Sequence, residues 1–160
     1  MQRAKIIESN LGFRELTTRT KTDKVVIHHT GAAGDYSAQE IHQMHLNNGW
    51  AGCGYHYIVR KDGTIETGRP HWTIGSHAYG ENSHTIGIHV AGNFEIEPLN
   101  AAQLEAVSIL VGTICSDYGI PVDAEHVVGH CDLMATACPG TNLYTEMHTI
   151  RGKAIWYQNN

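Results

Sequence analysis

The apolar positions alternate between short runs of period two and longer runs of helical period. "KVVIHHT" (24–30) carries three β-branched residues in a row, Val25, Val26 and Ile27, and stops at Gly31, so it reads as a buried strand. "SAQEIHQMHLNNGW" (37–50) opens on Ser37 with Glu40 three residues on, a capping-box pattern. It sets Ile41, Met44 and His45 at helical spacing, and "NNG" ends the helix. "GYHYIVRKDGTIETG" (54–68) alternates Tyr55, Tyr57 and Val59 with His56, Ile58 and Arg60, and Asp62-Gly63 marks a hairpin turn. "HTIGIHVAG" (84–92) reads as a second apolar strand closed by Gly92.

The clearest helix is "NAAQLEAVSILVGTICSDYG" (100–119). Leu104, Val107, Leu110, Val111 and Ile114 form its core stripe, and Gly119 with Pro121 closes it. "HVVGH" (126–130) is a short strand ending at His130, and residues 143–157 form a last helix. Residues 1–22 are polar without clear periodicity and read as an extended arm packed on the domain formed by residues 23–160. Interleaved strands and helices predict one α/β domain, a central mixed β-sheet flanked by helices.

A chain of 160 residues with 41% hydrophobic and 17% charged residues is long enough for one ordinary core. A formal charge of −5 with scattered Lys and Arg argues against nucleic acid as a partner. No segment approaches the roughly 18–20 apolar residues of a membrane span, so no membrane insertion is expected. The N-terminus "MQRAKIIESN" has no apolar stretch of signal-peptide length, which reads as synthesis in the cytoplasm without a signal peptide. In that reducing setting Cys53, Cys115, Cys131 and Cys138 are better read as buried or metal-binding than as disulfide-bonded. Protonating all twelve histidines would move the formal charge from −5 to +7, so surface behaviour changes below neutral pH.

"GHCDLMATACPG" (129–140) holds the candidate chemistry. His130 at a strand end and Cys138 eight residues later can converge, because the intervening loop can turn back. A catalytic zinc takes three protein ligands of nitrogen and sulfur and keeps a position for water. "VVIHHTG" offers His28 and His29 as the third ligand. Their side chains point to opposite faces of a strand, and periodicity does not choose between them.

The sequence resembles the zinc-dependent N-acetylmuramoyl-L-alanine amidases, a family that includes amidase-type phage lysozymes and peptidoglycan recognition proteins. The resemblance lies in "VVIHHT", "GWAGCGYHYIVRKDGTIETGR", "IGSHAYGENSHTIGIHVAGN" and "GHCDLMATACPG", which run in order from residue 25 to residue 140. It implies one zinc ion held by His28, His130 and Cys138, and a catalytic tyrosine, Tyr55, in "GYHY". Thr136, two residues before the cysteine, stands where similar phage lysozymes carry lysine and the amidase-active animal recognition proteins carry threonine. A hydroxyl there donates a hydrogen bond but brings no positive charge. Binding-only members lack the cysteine, and this chain retains it.

The resemblance further implies hydrolysis of the amide between N-acetylmuramic acid and L-alanine, with peptidoglycan or muropeptide as the partner. A phage or prophage endolysin that reaches the cell wall after release fits the absence of a signal peptide. A non-catalytic peptidoglycan-binding or regulatory protein, or a cytoplasmic wall-recycling amidase, is the alternative. Some similar phage amidases also bind RNA polymerase, but no residue here supports that role. His77 and Asn82 in "GSHAYGEN" are expected to contact substrate, and Trp50 and Trp72 to stack on sugar faces. His29 and His89 read as structural histidines, His42 and His45 as solvent-facing or core residues of the first helix, and Cys53 and Cys115 as packing residues. Cys131 is expected to lie near the ligands without joining them.

Overall fold

The apolar runs become five strands and four helices in the computed structural model, which describes all 160 residues. In chain order these are β1 (Lys24–His29), α1 (Ala38–Asn47), β2 (Tyr57–Val59), β3 (Ile65–Thr67), β4 (Thr85–Val90), α2 (Ala101–Tyr118), β5 (Val127–Gly129), α3 (Thr141–Tyr144) and α4 (Met147–Asn159). Single 3-10 turns occupy Asn82–His84 and His130–Asp132. The sheet order is β3-β2-β4-β1-β5. β1 pairs in parallel with both β4 and β5, β2 pairs in parallel with β4, and only the β2–β3 hairpin is antiparallel.

Alternation along the strands divides the sheet into two unlike faces. Val25 and Ile27, Tyr57 and Val59, Ile86, Ile88 and Val90, and Val127 join one buried cluster. Val107, Leu110, Val111 and Ile114 of α2 complete it, together with Leu143, Met147, Ile150 and Ala154 from α3 and α4. Each fully buried aliphatic side chain of this kind contributes roughly 1.5–3 kcal/mol. At Gly112 an added Cβ would stand 2.9 Å from the Ala154 carbonyl, so the absence of a side chain is what lets α2 and α4 approach. The other face carries His28, Ile58, Gly87 and His89. α1 covers part of it through Ala38 and Ile41, which pack with Cys53 and Ile58.

Helix ends follow their local chemistry. Ser37 Oγ accepts from Glu40 N at 3.1 Å and Glu40 Oε1 accepts from Ser37 N at 3.0 Å, a complete capping box. α2 starts on Asn100, whose Oδ1 accepts from Gln103 N at 2.8 Å, and stops at Gly119 in the left-handed conformation, φ 65°. The last helix differs from expectation in being broken after Tyr144. Thr145 Oγ1 donates to the Asn142 carbonyl at 3.2 Å, a local bond that competes with the helical ladder. Residues 1–23 form no regular element. They run across the domain with isolated bridges from Ile7 to Glu66 and from Thr18 to Thr73. Arg19 is buried and donates to the carbonyls of Thr73 and His71 at 2.6 and 2.5 Å.

The polar face makes folding sensitive to acid. Burial lowers His56 to about 3, with Arg19 and Arg69 adding to the shift against the Thr73 carbonyl it bonds. Burial also lowers His89 to about 3, with His45 and His29 contributing. The unfolded chain therefore binds more protons than the folded one between about pH 6.5 and 3, and stability falls as pH falls through that window. Each group is expected to contribute a slope of about 1.4 kcal/mol per pH unit. Urea unfolding at intervals from pH 7 to 4 checks this, and a flat profile would contradict it.

Candidate metal centre

β1 and β5 run side by side and end at the same edge of the sheet, and the site is built there. The pairing Ile27↔Gly129 places the last residues of both strands together, so His28 and His130 emerge as neighbours with ring centroids 4.5 Å apart. The loop after His130 is tied back on itself. Cys131 N donates to the Cys138 carbonyl at 2.8 Å, and Asp132 Oδ2 accepts from Gly129 N at 3.0 Å. Tyr144 Oη in turn donates to Asp132 Oδ1 at 2.5 Å. These bonds carry Cys138 back over the end of β1.

One donor atom from each of His28, His130 and Cys138 lies within 4.8 Å of the others. Zinc held tetrahedrally at about 2.0–2.1 Å from nitrogen and about 2.3 Å from sulfur sets an N···S separation of about 3.6 Å. His28 Nδ1 stands 3.6 Å from Cys138 Sγ. The donor set, two imidazoles and one sulfur, is of the type zinc takes in open sites. The residues therefore fit the ion. The amide of His29 donates to Cys138 Sγ at 3.4 Å, a contact that favours thiolate. Burial otherwise pushes the Cys138 thiol up to about 12. His130 Nε2 lies 3.0 Å from the Met134 sulfur, a weak acceptor. Burial holds His28 well below the ordinary histidine value and also lowers His130.

Two clefts of about 530 and 410 Å³ meet at this trio and share Tyr55, His77 and His130. One runs past Asn93, Glu95, Ile96 and Thr136, and the other past Trp50, Tyr79, Asn82 and Met134. The Tyr55 ring packs 5.2 Å from His28 and 4.8 Å from His89. Burial and the sulfurs of Cys138 and Cys53 raise its pKa, so it remains a neutral phenol near pH 7. Thr136 Oγ1 accepts from Cys138 N at 3.2 Å, which leaves its own hydrogen to donate.

Several expected substrate residues are occupied within the protein. His77 uses both ring nitrogens, Nδ1 at 2.9 Å from His28 Nε2 and Nε2 at 3.2 Å from Thr85 Oγ1, so neither is left for a substrate hydrogen bond. Asn82 Oδ1 accepts from the amides of His77 and Ala78, both at 2.9 Å, which shapes the loop and leaves only the side-chain amide nitrogen. Trp50 packs on His45 and lines the second cleft. Trp72 does not reach the groove. It lines a separate cavity of about 160 Å³ with Leu11, Phe13 and Arg69, because the bridge at Thr73 fixes this stretch against the N-terminal arm.

The other histidines fall into structural places. His29 Nδ1 accepts from Phe94 N, His42 Nδ1 from Cys53 N and His45 Nδ1 from Gly54 N. His89 Nε2 bonds Thr30 Oγ1 while its buried Nδ1 has no partner. Cys53 and Cys115 are buried thiols, and Cys131 is partly exposed beside the trio. Sequence reasoning missed Tyr79 and Ile96, which are 92% and 80% exposed at the rims of the two clefts. A large apolar residue inside a Gly- or Asn-containing loop, as in "AYGEN" and "GNFEIE", was the available signal.

Known proteins share this arrangement of strands and loops. Residues 18–141 match the family described as N-acetylmuramoyl-L-alanine amidase. Peptidoglycan-recognition protein SC2 of Drosophila melanogaster is 34% identical over 158 residues, covering 90% of this chain and 84% of that protein. The endolysin of Klebsiella phage KP32 is 32% identical over 136 residues, covering 81% of this chain and 87% of the endolysin. Among solved structures, the N-acetylmuramoyl-L-alanine amidase LysC from Clostridium intestinale superposes with a TM-score of 0.85 at 35% identity, covering 93% of this chain and 96% of LysC. With the family match spanning the whole stretch from the N-terminal arm past Cys138, the chain belongs to the N-acetylmuramoyl-L-alanine amidase family.

Proposed function

We propose that this chain hydrolyses the amide between the lactyl group of N-acetylmuramic acid and L-alanine in peptidoglycan, using one zinc ion held by His28, His130 and Cys138. The observation that carries the reading is the convergence of those three donors, within 4.8 Å, where two open clefts meet. A bound zinc supplies Lewis acidity and lowers the pKa of a water from about 16 to about 7.

The remaining work falls to side chains. Tyr55, kept protonated by its surroundings, donates a hydrogen bond to the scissile carbonyl oxygen as that oxygen gains negative charge. Thr136, which lines the same cleft, adds a second donor. No lysine stands at that position, so the side chains would add hydrogen-bond dipoles and no further positive charge to what the zinc supplies. Trp50, 41% exposed, offers a stacking face in the second cleft, which Tyr79 also lines. Asn82 contributes its free amide nitrogen and His77 contributes the wall between the clefts. Endolysin relatives support action on the cell wall after release. No helix is long and apolar enough to cross a membrane.

Mass spectrometry of digested peptidoglycan is expected to show newly freed L-alanine amines, lost with a chelator and regained with zinc. New reducing sugar ends would indicate a glycosidase, and binding without product would indicate a recognition protein. Tyr55→Phe is expected to lower kcat about 10²-fold with little change in KM. An unchanged kcat would remove Tyr55 from the chemistry. Zinc uptake must displace the Cys138 proton, because burial pushes that thiol up to about 12. Zinc affinity is therefore expected to rise about tenfold per pH unit from pH 7 to 9. A pH-independent affinity, measured by chelator competition, would exclude the thiol as a ligand.

A further inference from the structure

We infer that His77 is a positioning residue that fixes the tautomer of His28, so that the nitrogen facing Cys138 is always the one without a hydrogen. The inference deepens the metal reading above and rests on it. A count of hydrogens along one chain of bonds carries it. Thr85 Oγ1 has a single hydrogen and donates it to the Glu81 carbonyl at 2.8 Å, since a carbonyl only accepts. Toward His77 the same oxygen is an acceptor, so His77 Nε2, 3.2 Å away, carries the hydrogen. A neutral imidazole has one N–H, which leaves His77 Nδ1 bare. His28 Nε2 lies 2.9 Å from that bare nitrogen and must donate to it. His28 Nδ1 is then left with a lone pair, and this is the atom 3.6 Å from Cys138 Sγ.

The fold holds the His77 ring for this task. Thr85 and Gly87 lie on one face of β4, two residues apart, and the ring lies against both. A Cβ at Gly87 would stand 2.5 Å from His77 Cγ, and one at Gly75 would stand 2.8 Å from His77 Cδ2. Glycine at both positions is what leaves room for the ring. Asn82 Oδ1 secures the backbone below it by accepting from His77 N and Ala78 N. No carboxylate bonds either ring, so neither is drawn into a doubly protonated form. Metal-ligating histidines commonly spend their second nitrogen in this way, and losing the partner weakens metal binding by about 10–100-fold.

Two-bond proton–nitrogen correlation spectra of the metal-free protein, with its histidines labelled with nitrogen-15, report which nitrogen carries each hydrogen. At pH 7.5 the wild type is expected to show His28 protonated on Nε2. His77→Leu removes the acceptor and is expected to weaken zinc binding about 10–100-fold in competition with a chromophoric chelator. His77→Asn sets an amide oxygen where Nδ1 stood and is expected to stay within about threefold of wild type. Thr85→Val leaves both rings in place but frees His77 to exchange tautomers, so mixed signals are expected at His28. A wild-type His28 protonated on Nδ1, or a His77→Leu protein that binds zinc as the wild type does, overturns the assignment. Should a variant fail to fold, the wild-type spectrum decides alone. A His28 protonated on Nε2 in a protein that takes up no zinc would support the tautomer and contradict the metal reading.

Discussion

The parallel pairing of β1 with both of its neighbours is the constraint on which the rest depends. Val25, Val26 and Ile27 face their β4 and β5 partners in fixed register, and β1 then runs out at His28 and His29. Ligand sites of open α/β sheets form at the carboxyl ends of parallel strands, and here the ends of β1, β4 and β5 meet at one edge. A slip of one residue in β1 would carry Ile27 to the polar face and bury His28 among the aliphatic side chains of α2 and α4. The aliphatic cluster on one side therefore fixes the aim of the histidine on the other.

Burying neutral histidines on that polar face costs desolvation, which hydrogen bonds largely offset. His56 is the complete case, with Nδ1 accepting from Gly87 N and Nε2 bonded to the Thr73 carbonyl. His89 is the incomplete one, bonded to Thr30 on one side and unpartnered on the other. The same desolvation keeps His28 neutral, and a neutral imidazole is what a metal requires. The face that makes the fold sensitive to acid is thus the face that keeps the candidate ligand His28 neutral.

Elements with strong local signals were legible in the sequence. The capping box of Ser37 and Glu40, the Asp62-Gly63 hairpin and the Asn100-to-Gly119 helix all formed where their residues indicated. The break at Thr145 was not legible, because its side chain chooses between two backbone partners only in context. The spacing of His130 and Cys138 pointed to a loop site, whereas the choice of His28 over His29 needed the family resemblance. The two side chains lie within reach of the same edge, and only tertiary structure turns His29 toward Phe94. His77 and Trp72 were assigned by residue type, which says nothing of a partner. His77 meets a histidine 49 positions away, and Trp72 follows the N-terminal arm rather than the groove.

The claim beneath this account is that two imidazoles and one thiolate hold a single zinc ion. X-ray absorption at the zinc edge of the loaded protein tests it most directly. The account predicts one sulfur scatterer at about 2.3 Å and two imidazole nitrogens at about 2.0–2.1 Å, with sulfur lost in Cys138→Ser. A zinc environment of oxygen and nitrogen alone in the unaltered protein would contradict it.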